Sequence, residues 1–403
     1  MTQHLPEAAR PTAHGASPTI TYAAAGLLGL LPFSTDVFLT AMVDVGRDFH
    51  ATMVEVQPTM LAFTLGFALA HLFIGRLADL FGRRPVALGG LAVFLLASIA
   101  AVLAPTLALL IAARFVQGLT AAAGPIIART LVRDTVPPDL GGRALAKVGA
   151  LYGMSPLIAP TVGTLATQAG GWRAALAVLI GYGIVLAVIL WMRLPETRPS
   201  NVHGAEQVSI LRALRHCIRT RAFVVGCLAV ACAYGVLFSW LTTSAFLMVN
   251  TLGMTKLQAS YVYTAGAVGF LSGGMAAMRL AKTWIPRHLL RIAAALIVIG
   301  TVAPFLALEA GYASWPVLVV TLLPYYLGWG LAQPMATSIA MRPFPEMAGQ
   351  ASAWVGMAQQ LGGIVFALLA AALGGGMGTL VVMMLAAVGF AVSVFLPVQK
   401  PVG

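Results

Sequence analysis

Charged side chains are scarce in this chain of 403 residues, and acidic ones are the scarcest. The sequence holds 12 Asp and Glu against 24 Lys and Arg, so that 9% of the residues are charged and 60% are hydrophobic. The mean hydropathy is +0.91. A soluble globular domain has more polar and charged surface than this composition can supply. The composition therefore excludes a soluble protein and predicts a chain that lies within a membrane.

The motifs of several common chemistries are also missing. No glycine-rich phosphate loop ends in Lys and Ser or Thr, which argues against ATP as the energy source. No His, Cys and acidic residues stand at metal-ligand spacing, and no nucleophile can be paired with a base. We therefore expect no metal, no cofactor and no enzymatic activity. The few cysteines lack metal or disulfide spacing and are expected to be inert packing residues: Cys217, Cys227 and Cys232.

What the chain has instead is a series of apolar runs of about 20 residues, the length at which a helix crosses a bilayer. Backbone polar groups in lipid must be satisfied internally, so membrane spans are helices or closed barrels, and a barrel would show alternating segments of about ten residues. We predict an all-α membrane protein with twelve spans, at 20–43, 53–78, 85–104, 107–134, 141–168, 173–193, 222–249, 257–281, 288–308, 314–341, 348–374 and 378–397.

A polar, Arg-rich stretch divides these spans into two sets of six. The expected domains are an N-terminal tail (1–19), a first six-helix half (20–193), an inter-half loop (194–221), a second six-helix half (222–397) and a short C-terminus (398–403). The tail is polar and contains Pro, without the basic start and short apolar core of a signal peptide.

Two short strings recur at an offset of 203 residues. Arg76-Leu77-Ala78 returns as Arg279-Leu280-Ala281, and Gly153-Met154 returns as Gly356-Met357. Together they indicate two pseudo-symmetric halves that arose by duplication. In transporters such repeats place the substrate site between the halves, near the middle of the membrane.

The distribution of basic residues predicts the orientation of the spans. With a cytoplasmic N-terminus, 20 of the 24 basic residues lie on the cytoplasmic side, three lie on the opposite side (Arg47, Arg173 and Lys256), and Arg114 lies in the membrane. Such an asymmetry follows the positive-inside rule. We expect both termini and the inter-half loop to be cytoplasmic. The net charge of +12 is thus spread over short loops and does not indicate a nucleic-acid partner.

A dense basic turn lies between the second and third predicted spans. The string GRLADLFGRRPV, from Gly75 to Val86, resembles the loop signature between the second and third helices of the major facilitator superfamily. This resemblance implies a transporter that moves small molecules by alternating access. Asp79, Gly82 and Arg83 are expected to hold a closed cytoplasmic gate, with Asp79 facing the positive N-terminal end of a neighbouring helix such as the eleventh. The alternative is a loop that only sets topology.

Asp36 is the only acidic residue that we place well inside a span. A carboxylate at this depth costs about 2.5–3.5 kcal/mol on insertion scales, so such residues usually face a water-filled cavity and have a function. Removal from water disfavours the charged form, which makes Asp36 a candidate proton carrier with which a cationic or polar drug could compete. The alternative is that Asp36 pairs with an Arg and only holds the bundle together.

Arg114 is the single basic residue inside a predicted span. Its permanent charge could change the proton affinity of a nearby carboxylate as their distance changes. The string from Arg114 to Ala122 resembles the superfamily's fourth-helix motif, whose Arg is linked to proton coupling. The alternative is that Arg114 satisfies free carbonyl groups at a contact between helices.

The fifth span is rich in Gly and Pro. Small residues at spacings of three and four allow helices to approach closely, and prolines bend the helix that they interrupt. The pattern resembles the motif of the superfamily's drug–proton antiporters, although Thr164 stands where a second Gly is common; the alternative is general close packing. The residues of this pattern are Gly149, Gly153, Pro156, Pro160 and Gly163.

Polar and aromatic residues elsewhere in the spans are candidates for the substrate cavity, although such residues more often serve packing or interface anchoring. His71 could also join a proton path, because its side chain titrates near neutral pH. The candidates are His71, Tyr234, Trp240, Phe246, Gln333, Trp354 and Gln359, with Gln360 beside them.

Five strings in both halves narrow the resemblance to the bicyclomycin/chloramphenicol-resistance (Bcr/CflA) branch of the drug:proton antiporters. They are Phe33–Asp36, Leu65–His71, Arg133-Asp134, Leu194–Thr197 and Phe344–Ala353. The branch commonly has two prolines after the helix 1 Asp, Gln at the position of His71 and a Pro-Asn-Ala-like stretch near Gln333. This chain departs from all three patterns, and the latter two departures bear on which substrates it accepts.

The resemblance implies a multidrug exporter of the bacterial inner membrane that expels lipophilic antibiotics in exchange for protons. Its expected partners are small drug-like molecules, protons and membrane lipid, and we expect a monomer. Two other readings remain open: a dedicated transporter of one metabolite, and a receptor that uses the same fold without net flux. Buried charges such as Asp36 and Arg114 argue against a passive receptor, because they are costly to keep without use.

Overall fold

A computed structural model of the chain describes residues 18–136, 148, 151, 154–197, 210–281, 283–344 and 348–395. Nearly all of these residues are helical, and these ranges contain no strand. Ten helices in them are long and apolar enough to cross a membrane. The described part of the chain thus has the all-α architecture that the sequence predicts.

The helices form two compact units. The first unit comprises residues 1–41 and 58–207, and the second comprises residues 42–57 and 208–403, insofar as these are described. The structure therefore groups residues 42–57 with the second unit, whereas the sequence places them in the first half.

The first unit contains the helices that carry the candidate proton-coupling and gating residues. Its helices are α1 (Pro18–Leu39), α4 (Pro58–Ala70), α5 (Ile74–Phe81), α6 (Arg83–Val102), α7 (Leu107–Ala121), α8 (Ala123–Thr135) and α9 (Ser155–Arg193). Two short helices lie between α1 and α4 in the sequence and belong to the second unit: α2 (Met42–Asp48) and α3 (Met53–Val56).

The second unit is built mainly from long helices. It contains α10 (Ile210–Ile218), α11 (Arg221–Phe246) with a π-helical end (Leu247–Thr251), α12 (Lys256–Leu280), α13 (Pro286–Glu309), α14 (Trp315–Met341), α15 (Ala348–Ala372) and α16 (Met377–Phe395). Thr255 begins α12 with a capping box, because its side chain accepts from the backbone N–H of Gln258 while the Gln258 side chain accepts from the Thr255 backbone.

The ten membrane-length helices account for eleven of the twelve predicted spans, and α12 accounts for the remaining one. Helix α9 has 39 residues, about twice the length that crosses a bilayer. It is broken at Gly170 and Gly171, whose φ/ψ values are not helical, and so supplies the fifth and sixth spans. Helix α12, the eighth span, has 25 residues but is not among the ten, because its sequence is more polar than theirs.

The predicted second span is not one continuous helix. It is interrupted between Ala70 and Ile74, where the backbone N–H groups of His71, Leu72 and Phe73 donate to carbonyls three residues earlier instead of four. The sequence contains no Pro at this point, and the span predicted over 53–78 is divided between α4 and α5.

Candidate functional site

Asp36 lies in the last turn of α1, four residues after the Pro32 that interrupts this helix. Its side chain is half-buried. The Thr35 hydroxyl lies 3.0 Å from Asp36 Oδ1 and can donate to it. No Lys or Arg within the described residues forms an ion pair with Asp36. The bundle-locking ion pair is thus not formed in this part of the chain, where no Lys or Arg neutralises the carboxyl group.

Arg114 lies on α7 and is fully buried. Its Nη2 donates to the backbone carbonyl of Ser34 at 3.3 Å, on the same turn of α1 as Asp36. The guanidinium carbon lies 4.6 Å from the ring centroid of Phe38 and 4.4 Å from that of Phe63. Two aromatic faces thus replace part of the hydration that the cation has lost.

The rest of the Arg114 side chain is held by a chain of polar residues. Nη1 donates to Gln117 Oε1 at 3.0 Å, Gln117 Nε2 donates to Ser98 Oγ at 2.8 Å, and Ser98 donates to the Phe94 carbonyl at 2.7 Å. Gln117 and Ser98 are both fully buried. Arg114 Nε has no hydrogen-bond partner among the described residues. The polar chain fixes the guanidinium plane.

Glycines allow two pairs of helices to approach closely, α9 with α1 beside Asp36 and α7 with α4. A Cβ atom at Gly163 on α9 would lie 2.4 Å from the Val37 carbonyl oxygen on α1, and one at Gly118 on α7 would lie 1.9 Å from the Phe63 carbonyl oxygen on α4. A side chain at either position would force the helix backbones apart. Gly163 was predicted from the Gly/Pro pattern, and the structure places it against the residue that follows Asp36.

The remaining residues of that pattern can be followed only in part. Pro160 is buried within α9, and Pro156 lies in its first turn. Gly149 and Gly153 lie outside the described residues.

The signature loop surrounds the buried side chain of Arg83. Its Nε donates to Asp134 Oδ2 at 2.9 Å, its Nη2 lies 3.1 Å from Asp79 Oδ1, and its Nη1 donates to the Ala78 carbonyl at 3.0 Å. The structure therefore brings two of the predicted gating residues, Asp79 and Arg83, into direct contact. It adds Asp134, whose carboxylate is almost completely buried.

Glu196, which follows the end of α9, caps the start of α6. Its carboxylate accepts from the backbone N–H groups of Arg83 at 2.9 Å and Arg84 at 3.2 Å. N–H groups in the first turn of a helix have no acceptor within the helix, and the helix dipole also favours a negative charge there. Gly82 precedes them with φ +99° and ψ 159°, and a Cβ there would lie 2.4 Å from Glu196 Oε2. The backbone conformation therefore favours Gly at position 82, and a larger residue would displace the Glu196 carboxylate.

Sequence reasoning missed the roles of Glu196, Gln117 and Ser98. Glu196 and Gln117 stand in motifs that the sequence singles out, but their partners are distant in the chain or on another helix. Ser98 is an isolated polar residue in an apolar run, a pattern that by itself indicates no partner.

His71 lies at the interruption between α4 and α5. Its Nδ1 lies 2.8 Å from the Phe67 carbonyl oxygen, the group to which the His71 backbone N–H would donate in a continuous α-helix. A carbonyl oxygen only accepts, so Nδ1 carries the proton in this bond. The side chain competes with the backbone for one acceptor, and the helix tightens at this point.

One candidate of the second unit, Tyr234, lies in a group of aromatic residues. Tyr234 stacks on Phe238 at 5.6 Å between ring centroids and lies 6.3 Å from Trp329, which in turn stacks on Phe270 at 4.2 Å. Trp329 and Phe270 were not predicted, because aromatic residues are common in membrane spans and a lone one carries little signal.

The other candidates of that unit differ in burial and surroundings. Trp240 is fully buried, and its Nε1 has no partner among the described residues. Phe246 packs against Gly46. Gln360 is 3% exposed, and neither atom of its amide has a partner in the described ranges. Gln333, Trp354 and Gln359 are half-buried.

The cysteines and the acidic residues give no evidence of another chemistry. The described residues contain no group of three or more His, Cys, Asp or Glu that could hold a metal ion. Cys217 on α10 is buried, and burial raises the pKa of its thiol, which lowers its reactivity near neutral pH.

Comparison with known proteins agrees with this architecture. The family model of the Major Facilitator Superfamily matches residues 24–367. Multidrug resistance protein D of Escherichia coli (strain K12) is 31% identical over 341 residues, which are 84% of this chain and 84% of that protein. The uncharacterized MFS-type transporter YdgK of Bacillus subtilis (strain 168) is 27% identical over 340 residues, covering 82% of this chain and 83% of that protein.

Solved structures show the same fold. The crystal structure of a D-xylose–proton symporter has a TM-score of 0.77 and 15% sequence identity, and the match covers 95% of this chain and 98% of that one. The chain therefore belongs to the major facilitator superfamily, and it is a multi-pass membrane transporter whose relatives include multidrug resistance proteins.

Proposed function

We propose that this member of the major facilitator superfamily is a proton-coupled multidrug antiporter that exports lipophilic antibiotics across the bacterial inner membrane. The observation that carries the proposal is the half-buried carboxyl group of Asp36, with no ion pair in the described part of the chain. The names of the relatives, multidrug resistance protein D and multidrug resistance protein MdtL, support drugs as the substrate class. We assign the chain to the Bcr/CflA branch on the strings in both halves.

Coupling requires that proton and drug bind in mutually disfavoured ways, because a site that binds both independently dissipates the gradient. Asp36 meets this requirement if the drug binds better when the carboxylate is ionised. Arg114 is bonded to the Ser34 carbonyl on the same turn, so a shift of α1 against α7 changes the field at Asp36. A coupling free energy of about 1–3 kcal/mol between proton and drug is typical of linked sites.

Asp79, Gly82 and Arg83 act as the cytoplasmic gate in this proposal. The ion pairs of Arg83 and the cap by Glu196 hold the loop in one conformation, which a gate needs in its closed state. Both termini and the inter-half loop are cytoplasmic, and the transporter acts as a monomer. Tyr234, Trp329 and Phe270 supply aromatic faces for flat apolar drugs.

The decisive experiment measures drug transport in inverted membrane vesicles with and without an imposed pH gradient. Chloramphenicol, bicyclomycin and ethidium serve as probes. Vesicles that contain the unsubstituted protein are expected to accumulate at least one of these drugs only when the pH gradient is present. Asp36→Asn is expected to abolish uphill transport while neutral drugs still bind, and Glu309→Gln, a change at an exposed acidic residue, is the control.

Two outcomes would contradict the proposal. Full gradient-driven transport by Asp36→Asn would place the proton site elsewhere, and His71 would be the next residue to replace. Failure to transport any probe would favour a dedicated metabolite transporter or a receptor. Drug-induced proton release in unbuffered detergent checks the coupling independently, since the proposal expects release by the unsubstituted protein and none by Asp36→Asn.

A further inference from the structure

The second unit has very few acidic residues, and none lies in its described part at the turn between α12 and α13. Residues 210–281, 283–344 and 348–395 contain one acid, Glu309, which ends α13 about 35 Å from the start of that helix. The acids of residues 42–57 belong to the same end as Glu309, since Asp44 contacts Lys256 at the start of α12. The opposite end of the unit is therefore basic.

The turn between α12 and α13 repeats part of the signature loop with one reversal of charge. Arg279-Leu280-Ala281 matches Arg76-Leu77-Ala78 at an offset of 203 residues, and at the same offset Lys282 stands in place of Asp79. In the first unit, Asp79 lies 3.1 Å from Arg83 and offsets its charge. The second unit has a Lys instead of this acid, so the positive charge at its turn favours an anion from outside the protein.

Two exposed apolar residues indicate the depth of this turn. Trp284 and Ile285, directly before α13, are 47% and 63% exposed. The backbone N–H groups of Thr283 and Trp284 donate to the Leu280 carbonyl at 3.0 and 2.8 Å, which holds the turn in one conformation. Trp is enriched at the boundary between membrane and water. The turn is thus expected to lie at the level of the lipid headgroups.

Arg291 lies five residues after Pro286, the first residue of α13, and so about 7.5 Å further into the membrane than the start of the helix. Its side chain is exposed, and the guanidinium carbon lies 5.5 Å from the ring centroid of Phe395, which is 58% exposed. A long basic side chain at this depth extends back to the headgroups, where phosphate oxygens accept the planar donors of Arg. Arg279, in the last turn of α12, is also exposed.

We propose that Arg279 and Arg291, together with Trp284 and Ile285, form a binding site for the headgroup of an anionic phospholipid. The two arginines contact the lipid phosphate, and Trp284 and Ile285 insert beside the upper part of the acyl chains. Charge complementarity carries the proposal, because the cytoplasmic leaflet presents anionic headgroups at the end of the unit that has basic residues without a described acid. The site follows from the proposed orientation and is independent of the proposed transport function.

The test measures lipid selectivity with the full chain in nanodiscs that contain phosphatidylcholine and phosphatidylglycerol. One of the two lipids carries bromine on its acyl chains, which quenches the fluorescence of nearby Trp. The difference in quenching between each protein and its Trp284→Phe form isolates the signal of Trp284. We expect brominated phosphatidylglycerol to quench Trp284 at a mole fraction about tenfold lower than brominated phosphatidylcholine.

Variants of Arg291 separate charge from packing. Arg291→Gln is expected to reduce the preference for phosphatidylglycerol by about fivefold. Arg291→Lys should keep most of the preference, because a phosphate can bind an ammonium group even though the contact with Phe395 is lost. The melting temperature in detergent checks that each variant is folded.

Arg215→Gln is the matched control. Arg215 is exposed on α10, which packs against α11 and α15, and its replacement removes the same charge at the same end of the unit. It is expected to leave the selectivity at Trp284 within experimental error. An equal loss in Arg215→Gln and Arg291→Gln would show a general effect of surface charge and contradict a site.

Two further outcomes would overturn the proposal. Equal quenching of Trp284 by the two brominated lipids in the unsubstituted protein would show that no anionic lipid is selected. Loss of the preference on addition of inorganic phosphate, but not of sodium chloride at the same ionic strength, would assign the site to a soluble anion. No transport is measured, so these outcomes leave the proposed function untouched.

Discussion

At the scale of single residues, Arg114 shows how the protein keeps a cation out of water without an ion pair in the described part of the chain. Its contacts are a backbone carbonyl, an amide oxygen, a sulfur atom and two aromatic rings. A planar guanidinium group can donate in its plane and receive ring faces above and below it. An ammonium group has no such plane, so these contacts are specific for Arg.

This argument predicts the effect of Arg114→Lys. The variant keeps a positive charge but loses the ring contacts and the fixed direction of its donors, and we expect gradient-driven drug transport to fall by about tenfold or more. Arg173→Lys is the control, because Arg173 also lies over an aromatic ring, at 4.1 Å from the centroid of Trp172. Equal losses in both variants would show a general sensitivity to Arg replacement and remove the special role of Arg114.

Gly82 gives a second prediction at this scale. Its φ of +99° and ψ of 159° lie in a region open essentially only to Gly, and the carboxylate of Glu196 occupies the space of a Cβ. Gly82→Ala should lower the free energy of unfolding by about 1–3 kcal/mol, seen as a lower melting temperature in detergent. Gly75→Ala in the same loop has nothing within 4 Å of its Cβ and should be near neutral.

The double variant Gly82→Ala/Glu196→Ala separates the two causes. It removes the steric conflict with the carboxylate and leaves the backbone conformation unfavourable. Glu196→Ala alone loses the cap on α6, so the double variant is compared with that single variant. If Gly82→Ala lowers the melting temperature less in the Glu196→Ala protein than in the unsubstituted protein, both contributions are supported, whereas no loss there would mean that the positive φ has no cost.

At the scale of helices, the interruption of the second span has a side-chain cause. His71 Nδ1 donates to the carbonyl of Phe67. The backbone N–H groups at positions 71–73 donate to carbonyls three residues earlier instead of four. His71→Leu removes the competing donor. We expect the backbone to recover its i to i−4 bonds, and hydrogen exchange of the amides at positions 71–73 to slow. His71→Gln, which keeps a side-chain donor, should exchange like the unsubstituted protein, and identical exchange in all three would refute this cause.

The approach of α9 to α1 gives a prediction for the Gly/Pro-rich fifth span. A Cβ at Gly163 would lie 2.4 Å from the Val37 carbonyl oxygen, so Gly163→Ala must separate two backbones beside Asp36. We expect a loss of about 1–3 kcal/mol in stability, together with a lower rate of drug transport. Gly181→Ala on the same helix meets nothing within 4 Å and is the matched control. A neutral Gly163→Ala would show that this contact is not needed.

The sequence predicted helices and individual residues better than it predicted contacts. Apolar length defines spans, so their number and order could be predicted, and the isolation of Asp36 and Arg114 in apolar runs marked both as candidates. The break at His71 depends on a side chain that bonds to its own helix, and the positions of Gln117, Ser98 and Glu196 depend on neighbours up to 113 residues away. Composition and periodicity contain no information on such pairs.

At the scale of the whole molecule, the sequence likewise does not show with which unit residues 42–57 pack. Their position between the first two spans assigns them to the first half by sequence, whereas Gln57 bonds to residues 185 and 310 positions further along the chain. The recurring strings predict two related halves, but they do not determine with which unit a connecting segment packs. The contacts of Gln57 decide this.

The orientation of the whole molecule in the membrane follows from charge and gives the last prediction. With a cytoplasmic N-terminus, 20 basic residues lie on the cytoplasmic side and three on the other, among them Lys256 and Arg173. Moving basic residues across the membrane during insertion is unfavourable, so the reverse orientation would require many more transfers. Single cysteines at Arg212 and near the C-terminus should resist an impermeant maleimide in intact cells and react in inverted vesicles. Arg47→Cys should behave in the opposite way, and labelling of position 212 in intact cells would overturn both the orientation and the even number of spans.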